Sequence, residues 1–306
     1  MNDNNNSIML IGGAGYVGTM LAKKLLNDGF KVKIFDMFIY KSDLNSHKDI
    51  DLILGDIRDL KLLENALNNV DHVIHLACIS NDPSFELNPK LGKSINLDSF
   101  RPFVEISKKN NIKRFIYASS SSVYGIKTEK NVNETLPLDP LTDYSKFKVE
   151  CENILHDYTN ENFETIIIRP ATVCGFSPRM RLDVAVNALT FSALKDKTIK
   201  VFGGSQIRPN VHIDDMVDAY IFFLKSKKKL QGIYNLGFEN KSISSIAKLI
   251  KSKIKSNIKI YKNSNDPRSY RLSSSKILKV GFRPKKTISD AITELKYLFD
   301  EGIFKD

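Results

Sequence analysis

Ser7-Ile8-Met9-Leu10-Ile11-Gly12-Gly13-Ala14-Gly15-Tyr16-Val17-Gly18 is the stretch that decides how this chain folds. An apolar run the size of a buried strand breaks into glycines spaced G-x-x-G-x-x-G. Apolar residues then resume at helical spacing through Val17, Leu21, Leu25 and Leu26. That order of strand, tight turn and helix opens a dinucleotide-binding unit. The turn brings a pyrophosphate close to backbone N–H groups, and the helix packs hard on the strand, so side chains are excluded at those positions. The helix N-terminus faces the phosphates with its partial positive charge. A second strand, Lys31-Val32-Lys33-Ile34-Phe35, ends in Asp36. A carboxylate there accepts hydrogen bonds from adenosine ribose hydroxyls and repels a 2′-phosphate, which predicts NAD rather than NADP as the cofactor.

Moving outward, strands alternate with helices. A strand over Asp51–Leu54 leads into the turn Gly55-Asp56-Ile57-Arg58-Asp59, and a helix presents Leu60, Leu63, Ala66 and Leu67 on one face. Strand His72-Val73-Ile74-His75-Leu76 follows, then one long helix over about 89–110 and strand Arg114–Ala118. A helix from Tyr144 to Tyr158 precedes the apolar strand Phe163–Ile168. Near-continuous apolar strands between helices predict an α/β fold with a doubly wound parallel sheet of Rossmann type, covered on both faces. Ligands bind beyond the carboxyl ends of such strands. Gly12–Gly18, Asp36, Asp56-Ile57, Leu76-Ala77-Cys78, Ser119-Ser120 and Arg169-Pro170 all fall there. Residues 1–169 are therefore expected to form the nucleotide-binding domain, with a returning segment near 211–236. Residues 170–306 are expected to be mainly a smaller, discontinuous C-terminal lobe.

Composition narrows the class. The 306 residues suffice for a large core, and 42% apolar with 26% charged residues is ordinary for a soluble globular protein. No apolar run approaches the ~20 residues of a membrane span. The polar start Met1–Asn6 lacks the layout of a signal peptide. Cys78, Cys151 and Cys174 are widely separated, so neither a disulfide framework nor a metal site is expected, and the chain reads as cytoplasmic. The formal net charge of +11 comes from lysines spread over exposed-looking helix faces, as in Lys225-Ser226-Lys227-Lys228-Lys229. No aromatic-interleaved basic motif accompanies them, so no nucleic-acid partner is predicted.

The chemistry lies in separated segments. Tyr144-Ser145-Lys146-Phe147-Lys148 puts Tyr144 and Lys148 one helical turn apart on one face. An ammonium beside a phenol favours the phenolate, drawing its pKa from ~10 toward neutrality. Such a tyrosine can remove a proton from a substrate hydroxyl while hydride leaves its carbon. In Ser119-Ser120-Ser121-Ser122-Val123-Tyr124-Gly125, a hydroxyl at the strand end can hydrogen-bond the reacting oxygen.

Together and in this order, the glycine pattern, Asp36, Gly55-Asp56-Ile57, His75-Leu76-Ala77, the serine run before Val123-Tyr124-Gly125, Tyr144-x-x-x-Lys148 and Arg169-Pro170 resemble the extended short-chain dehydrogenase/reductase family. The closer likeness is to its nucleotide-sugar epimerase/dehydratase branch, over nearly the whole chain. The resemblance implies Ser120, Tyr144 and Lys148 as catalytic residues. It implies a cofactor site from Gly12, Gly15, Tyr16, Val17, Gly18, Asp36, Asp56, Ile57, Leu76, Ala77, Tyr144, Lys148 and Pro170. The resemblance further implies that Ser120 and Ser121 contact the substrate, Val201 and Phe202 the nucleotide base, and Arg208 the diphosphate. Asn187 and Arg268 are further phosphate contacts expected from the same likeness. An arginine suits the diphosphate because its planar fork pairs with phosphate oxygens. A homodimer is implied, built from the helix near 90–110 and the Tyr144 helix.

The same comparison bears on the reaction. Family members that eliminate water carry an acidic pair after the catalytic Ser/Thr, and those that decarboxylate carry a glutamate, whereas this chain has Ser121 and Ser122. The implied activity is epimerisation through oxidation at C4 to a transient 4-keto sugar. A second likeness, over Arg169–Asp183, is to a subgroup that includes GDP-heptose 4-dehydrogenases, which release the ketone. A non-catalytic nucleotide-binding protein is the remaining reading.

Overall fold

The computed structural model describes residues 6–40, 44, 47–80, 82–262 and 268–304. Asp266 and Pro267, which precede Arg268, lie outside these residues.

The chain forms two compact units. The first comprises 1–123, 140–169 and 217–234, and the second comprises 124–139, 170–216 and 235–306. The segment 124–139, inside the 1–169 span read from the sequence, thus clusters with the second unit.

In the first unit, strand β1 (Ser7–Ile11) leads to helix α1 (Tyr16–Asn27), then β2 (Lys31–Asp36), β3 (Ile50–Leu54), α2 (Leu60–Ala66) and β4 (His72–His75). Helices α3 (Asp82–Leu87), α4 (Pro89–Lys93) and α5 (Phe100–Lys109), strand β5 (Arg114–Ala118), helix α6 (Asp143–Tyr158) and β6 (Glu164–Pro170) follow. The second unit contributes β7 (Thr172–Cys174), α7 (Ala185–Lys195), β8 (Thr198–Phe202) and β9 (Ile207–His212). Helix α8 (Ile213–Lys225) and strand β10 (Gly232–Leu236) carry the chain through the first unit again. Next come β11 (Glu239–Ser242), α9 (Ile243–Lys253), β12 (Asn257–Tyr261), α10 (Ser275–Lys279) and α11 (Ile288–Asp300).

The expected doubly wound sheet is observed: seven strands in the order β10-β6-β5-β4-β1-β2-β3, with parallel pairing from β6 through β3. Every residue of β1 is buried, because helices cover both faces of a central parallel strand. Cutting Leu10, fully buried in β1, back to alanine is a cavity mutation that costs about 2–5 kcal/mol. Order reverses between β2 and β4 on either side of β1, and that switch point is where a crevice for ligands opens. The smaller unit holds a three-stranded sheet, β11-β9-β7, and a two-stranded ribbon, β12-β8. Its core gathers Val186, Ile199, Val201, Ile246, Ile250 and Ile292.

The single helix expected over 89–110 is not continuous. Between α4 and α5, residues Ser94–Asp98 form a π-helical turn. Pro102 follows in the first turn of α5, where its missing N–H costs nothing. The widened turn carries Asn96 inward, and its side chain accepts from the Ile79 N–H (2.8 Å) and donates to the Ile79 carbonyl (3.0 Å). Such π-bulges tend to mark functional sites. Here one pins the loop that leaves β4.

Candidate active site

The glycine turn has the geometry a dinucleotide needs. Gly12 sits at φ +79°, and a Cβ on it would lie 2.6 Å from backbone atoms of Ala77. The ends of β1 and β4 are therefore in backbone contact at the switch point, and the Leu76 and Ala77 N–H groups both donate to the Ile11 carbonyl (2.8 and 2.9 Å). A Cβ on Gly18 would lie 2.6 Å from Gly13, so the first turn of α1 packs directly against the glycine turn. Gly15 differs: its Cβ would meet only the Gly12 carbonyl, at 3.4 Å. Gly15 caps α1 without a side-chain hydrogen bond, so a phosphate can approach the first helical turn directly. Tyr16 is buried and Val17 half-buried in that turn. Asp36 accepts from the Ala14 N–H (2.9 Å) and the Phe38 N–H (3.0 Å), which fixes its half-buried carboxylate beside the glycine turn. An open cradle, an uncapped helix start and a carboxylate at the end of β2 are what NAD requires, and these residues fit it.

In the neighbouring turn, Asp56 accepts from the backbone N–H and side chain of Arg58, with Nη2 at 2.5 Å from Oδ2. That hydrogen bond holds the Asp56 carboxyl below its ordinary value. Ile57 turns into the core.

Helix α6 presents the two central side chains. Thr142 accepts from the Ser145 N–H while the Ser145 hydroxyl accepts from the Thr142 N–H. This reciprocal cap sets Tyr144 in the first turn, where the helix dipole favours an anion. Lys148 follows one turn later and is buried. Its Nζ donates to the Ala118 carbonyl (2.6 Å) and stands 5.7 Å from the Tyr144 ring centroid and 4.7 Å from that of Tyr117. Burial works against the Lys148 charge, but Cys78, Tyr144, Cys151 and Glu152 work for it, and its pKa lies above the ordinary lysine value. The site lysine is therefore an ammonium at neutral pH. His75 beneath it is buried and stacks on Phe100, and burial together with Lys148 pushes its pKa down to about 3. It is neutral.

At the end of β5, the Ser120 hydroxyl is half-buried and accepts from the Ser122 N–H (3.1 Å) and hydroxyl (2.9 Å). Ser121 is buried. Ser120, Tyr144 and Lys148 thus belong to one unit, and Ala118, two residues before Ser120, takes the lysine proton donor.

The second unit holds the remaining candidates. Arg208, in β9, donates to the Arg268 carbonyl, and both side chains are half-buried. Phe202 is 54% exposed and stacks on Tyr261, with ring centroids 4.9 Å apart. Val201 is buried in that unit's core. Asn187 is fully buried, and its amide is engaged by the Gly175 N–H (3.0 Å) and the carbonyls of Gly175 and Arg181. It shapes the 175–181 loop. Pro170 is half-buried at the end of β6.

Sequence reasoning did not single out Glu152. It lies one turn beyond Lys148 and pairs with Arg169, and the Ser119 hydroxyl donates to it. The signal was present as a third residue at helical spacing after Tyr144 and Lys148. Among the described residues there is no cluster of His, Cys, Asp or Glu that could hold a metal ion, and no helix long and apolar enough to cross a membrane.

An N-acetyl-α-D-glucosaminyl-diphospho-ditrans,octacis-undecaprenol 4-epimerase of Escherichia coli O157:H7 is 30% identical over 243 residues, covering 77% of this chain and 67% of that protein. A protein of Methanocaldococcus jannaschii described as a putative UDP-glucose 4-epimerase is 28% identical, covering 93% and 95%. The chain spans 55 to 67% of the length of the first curated relatives it matches. The crystal structure of the Bacillus cereus UDP-glucuronic acid 4-epimerase with UDP-glucuronic acid and NAD superposes with a TM-score of 0.86 at 28% identity, covering 97% of this chain and all of that one. The model of one family spans residues 8–237, from β1 into the loop after β10, and on that match the chain belongs to the NAD dependent epimerase/dehydratase family.

Proposed function

We propose that this protein is an NAD-dependent nucleotide-sugar 4-epimerase. The observation that carries the reading is the clamp of the buried Lys148 ammonium onto the β5 end, beside both Tyr144 and the Ser120 segment. Bound NAD supplies the acceptor, and later the donor, of the C4 hydride. The chain's own residues manage the proton. Tyr144 Oη takes the proton of the sugar 4-hydroxyl as the C4–H bond breaks, leaving a 4-keto sugar, and returns it when the hydride is delivered to the opposite ring face. Lys148 stabilises the phenolate, and Ser120 hydrogen-bonds the reacting oxygen. Ser121 and Ser122 offer no acid to protonate a departing hydroxyl, which argues against dehydration.

Arg208 and Arg268 are assigned to the diphosphate, and the exposed Phe202 ring to the nucleotide base. The α5 and α6 helices are assigned to a homodimer, which light scattering of the purified protein tests. Relatives described as 4-epimerases support the reaction type. The deciding experiment incubates the purified protein with UDP-, GDP-, dTDP- and CDP-sugars and reads products by NMR and reduced cofactor by absorbance. A new C4 epimer without net NADH supports the proposal. Accumulated NADH with a ketone identifies a 4-dehydrogenase, and no change with any sugar identifies a non-catalytic nucleotide-binding protein.

A further inference from the structure

Glu152 and Arg169 form an ion pair with side chains only 4% and 3% exposed, and Arg169 Nη2 stands 2.6 Å from Glu152 Oε2. Arg169 Nε lies 3.0 and 3.2 Å from the two carboxylate oxygens, and the Ser119 hydroxyl donates to Oε1. Burying two charges costs several kcal/mol per ion before their attraction offsets it, so such a pair is weak evidence for stability. Its placement is specific, however. Tyr144, Lys148 and Glu152 recur every four residues along one face of α6. Ala118, Ser119 and Ser120 are consecutive at the end of β5. Lys148 bonds Ala118 and Glu152 bonds Ser119, so adjacent rungs of the helix grip adjacent residues of the strand end, and Ser120 is the next residue.

We propose that Glu152 is a positioning residue: through Ser119 and Arg169, its carboxylate sets the register of the Tyr144–Lys148 helix face against the Ser120 strand end. This rests on the epimerase reading for its catalytic consequence, though the geometry can be tested without turnover. Around Lys148, His75 comes from β4, Cys78 from the loop after it, Tyr117 from β5, and Tyr144, Cys151 and Glu152 from α6. Burial keeps His75 neutral and pushes the Cys151 thiol up to about 12, so the Glu152 carboxylate is the acidic group of this set paired with a fixed cation.

The test titrates the Tyr144 phenol by tyrosinate absorbance in the NAD-loaded protein, with Tyr144→Phe subtracted, for wild type, Glu152→Gln and Ser119→Ala. Removing the Glu152 charge alone favours the phenolate and moves the titration down, whereas losing the ammonium beside the phenol moves it up. We expect an upward shift of about one unit in Glu152→Gln, and a smaller upward shift in Ser119→Ala. With a sugar that wild type epimerises, kcat falls about tenfold to a hundredfold in Glu152→Gln, while KM and the NAD Kd stay within about threefold. An unchanged or downward titration overturns the proposal, and so does a loss that tracks KM or NAD binding instead of kcat. If Glu152→Gln does not fold, Ser119→Ala decides by the direction of its shift. Wild-type protein inactive on every sugar overturns the epimerase reading, and the titration still decides the role of Glu152.

Discussion

Lys148 Nζ lies 2.6 Å from the Ala118 carbonyl oxygen, which it uses as an anchor while standing 5.7 Å from the centre of the Tyr144 ring. The ammonium is held by backbone, so its position does not depend on a flexible partner. A charge fixed in a buried, low-dielectric place acts on its neighbour more strongly than one at the surface.

Replacing Tyr144 by phenylalanine removes the proposed proton acceptor and leaves the ring. NAD binding is expected to stay within about threefold, while turnover falls by about 10²–10⁴, the usual contribution of general acid–base catalysis. Fluorescence titration with NAD and NMR assay of epimer formation check the two halves, and full retained activity would remove Tyr144 from its assigned role.

Gly12 and Gly15 are expected to respond differently to alanine. At Gly12 the new methyl group would stand 2.6 Å from the Ala77 backbone at a positive φ, so we expect a loss of about 1–3 kcal/mol in stability. At Gly15 the methyl group meets only an oxygen at 3.4 Å, so urea unfolding is expected to change little. NAD affinity falls there instead, because the methyl group occupies the phosphate approach. Equal denaturation midpoints for the two variants would contradict this.

Changing Asp36 to asparagine keeps the side-chain shape and removes the charge assigned to the ribose hydroxyls. The NAD Kd is expected to rise about tenfold or more, by the loss of charge-assisted hydrogen bonds, and discrimination against NADP is expected to shrink. Calorimetry with both dinucleotides measures this. An unchanged ratio of the two affinities would show that some other group selects the cofactor.

Two of the buried histidines, His72 and His75, predict acid sensitivity. Burial is the first cause that lowers the pKa of His72 to about 4 and of His75 to about 3, both from 6.5. Above pH 6.5 both are neutral in folded and unfolded chains, and neither affects stability. As pH falls below 6.5 the unfolded chain takes up protons that the native one refuses, so stability declines by about 1.4 kcal/mol per pH unit for each histidine. The decline ends near the folded pKa values. His75→Phe, placed among Phe100, Phe103 and Phe115, should roughly halve the slope between pH 6 and 5, about 1.4 kcal/mol per unit remaining. Urea midpoints at several pH values test it, and an undiminished slope would place the titration elsewhere.

Much of this molecule is legible in local spacing. The glycine turn, Asp36 and the Tyr144/Lys148 pair lie within single elements or at their ends, and periods of two and 3.6 residues report burial without knowledge of partners. The break in the helix near 89–110 was not legible. A π-turn depends on Asn96 finding Ile79, and helical periodicity carries no record of that encounter. Asn187 shows the same limit: its motif suggested a phosphate contact, whereas its amide is taken by the Gly175 and Arg181 backbone.

By itself, then, the amino-acid sequence determined the alternating elements, the glycine turn and the helix face that carries Tyr144 and Lys148, since each follows from neighbours a few residues apart. Only the tertiary structure decided that Glu152 meets Ser119 and Arg169, groups 33 and 17 residues away. Ion pairs and hydrogen bonds need atoms within about 3 Å, and that proximity is set by how strands and helices pack rather than by their order along the chain.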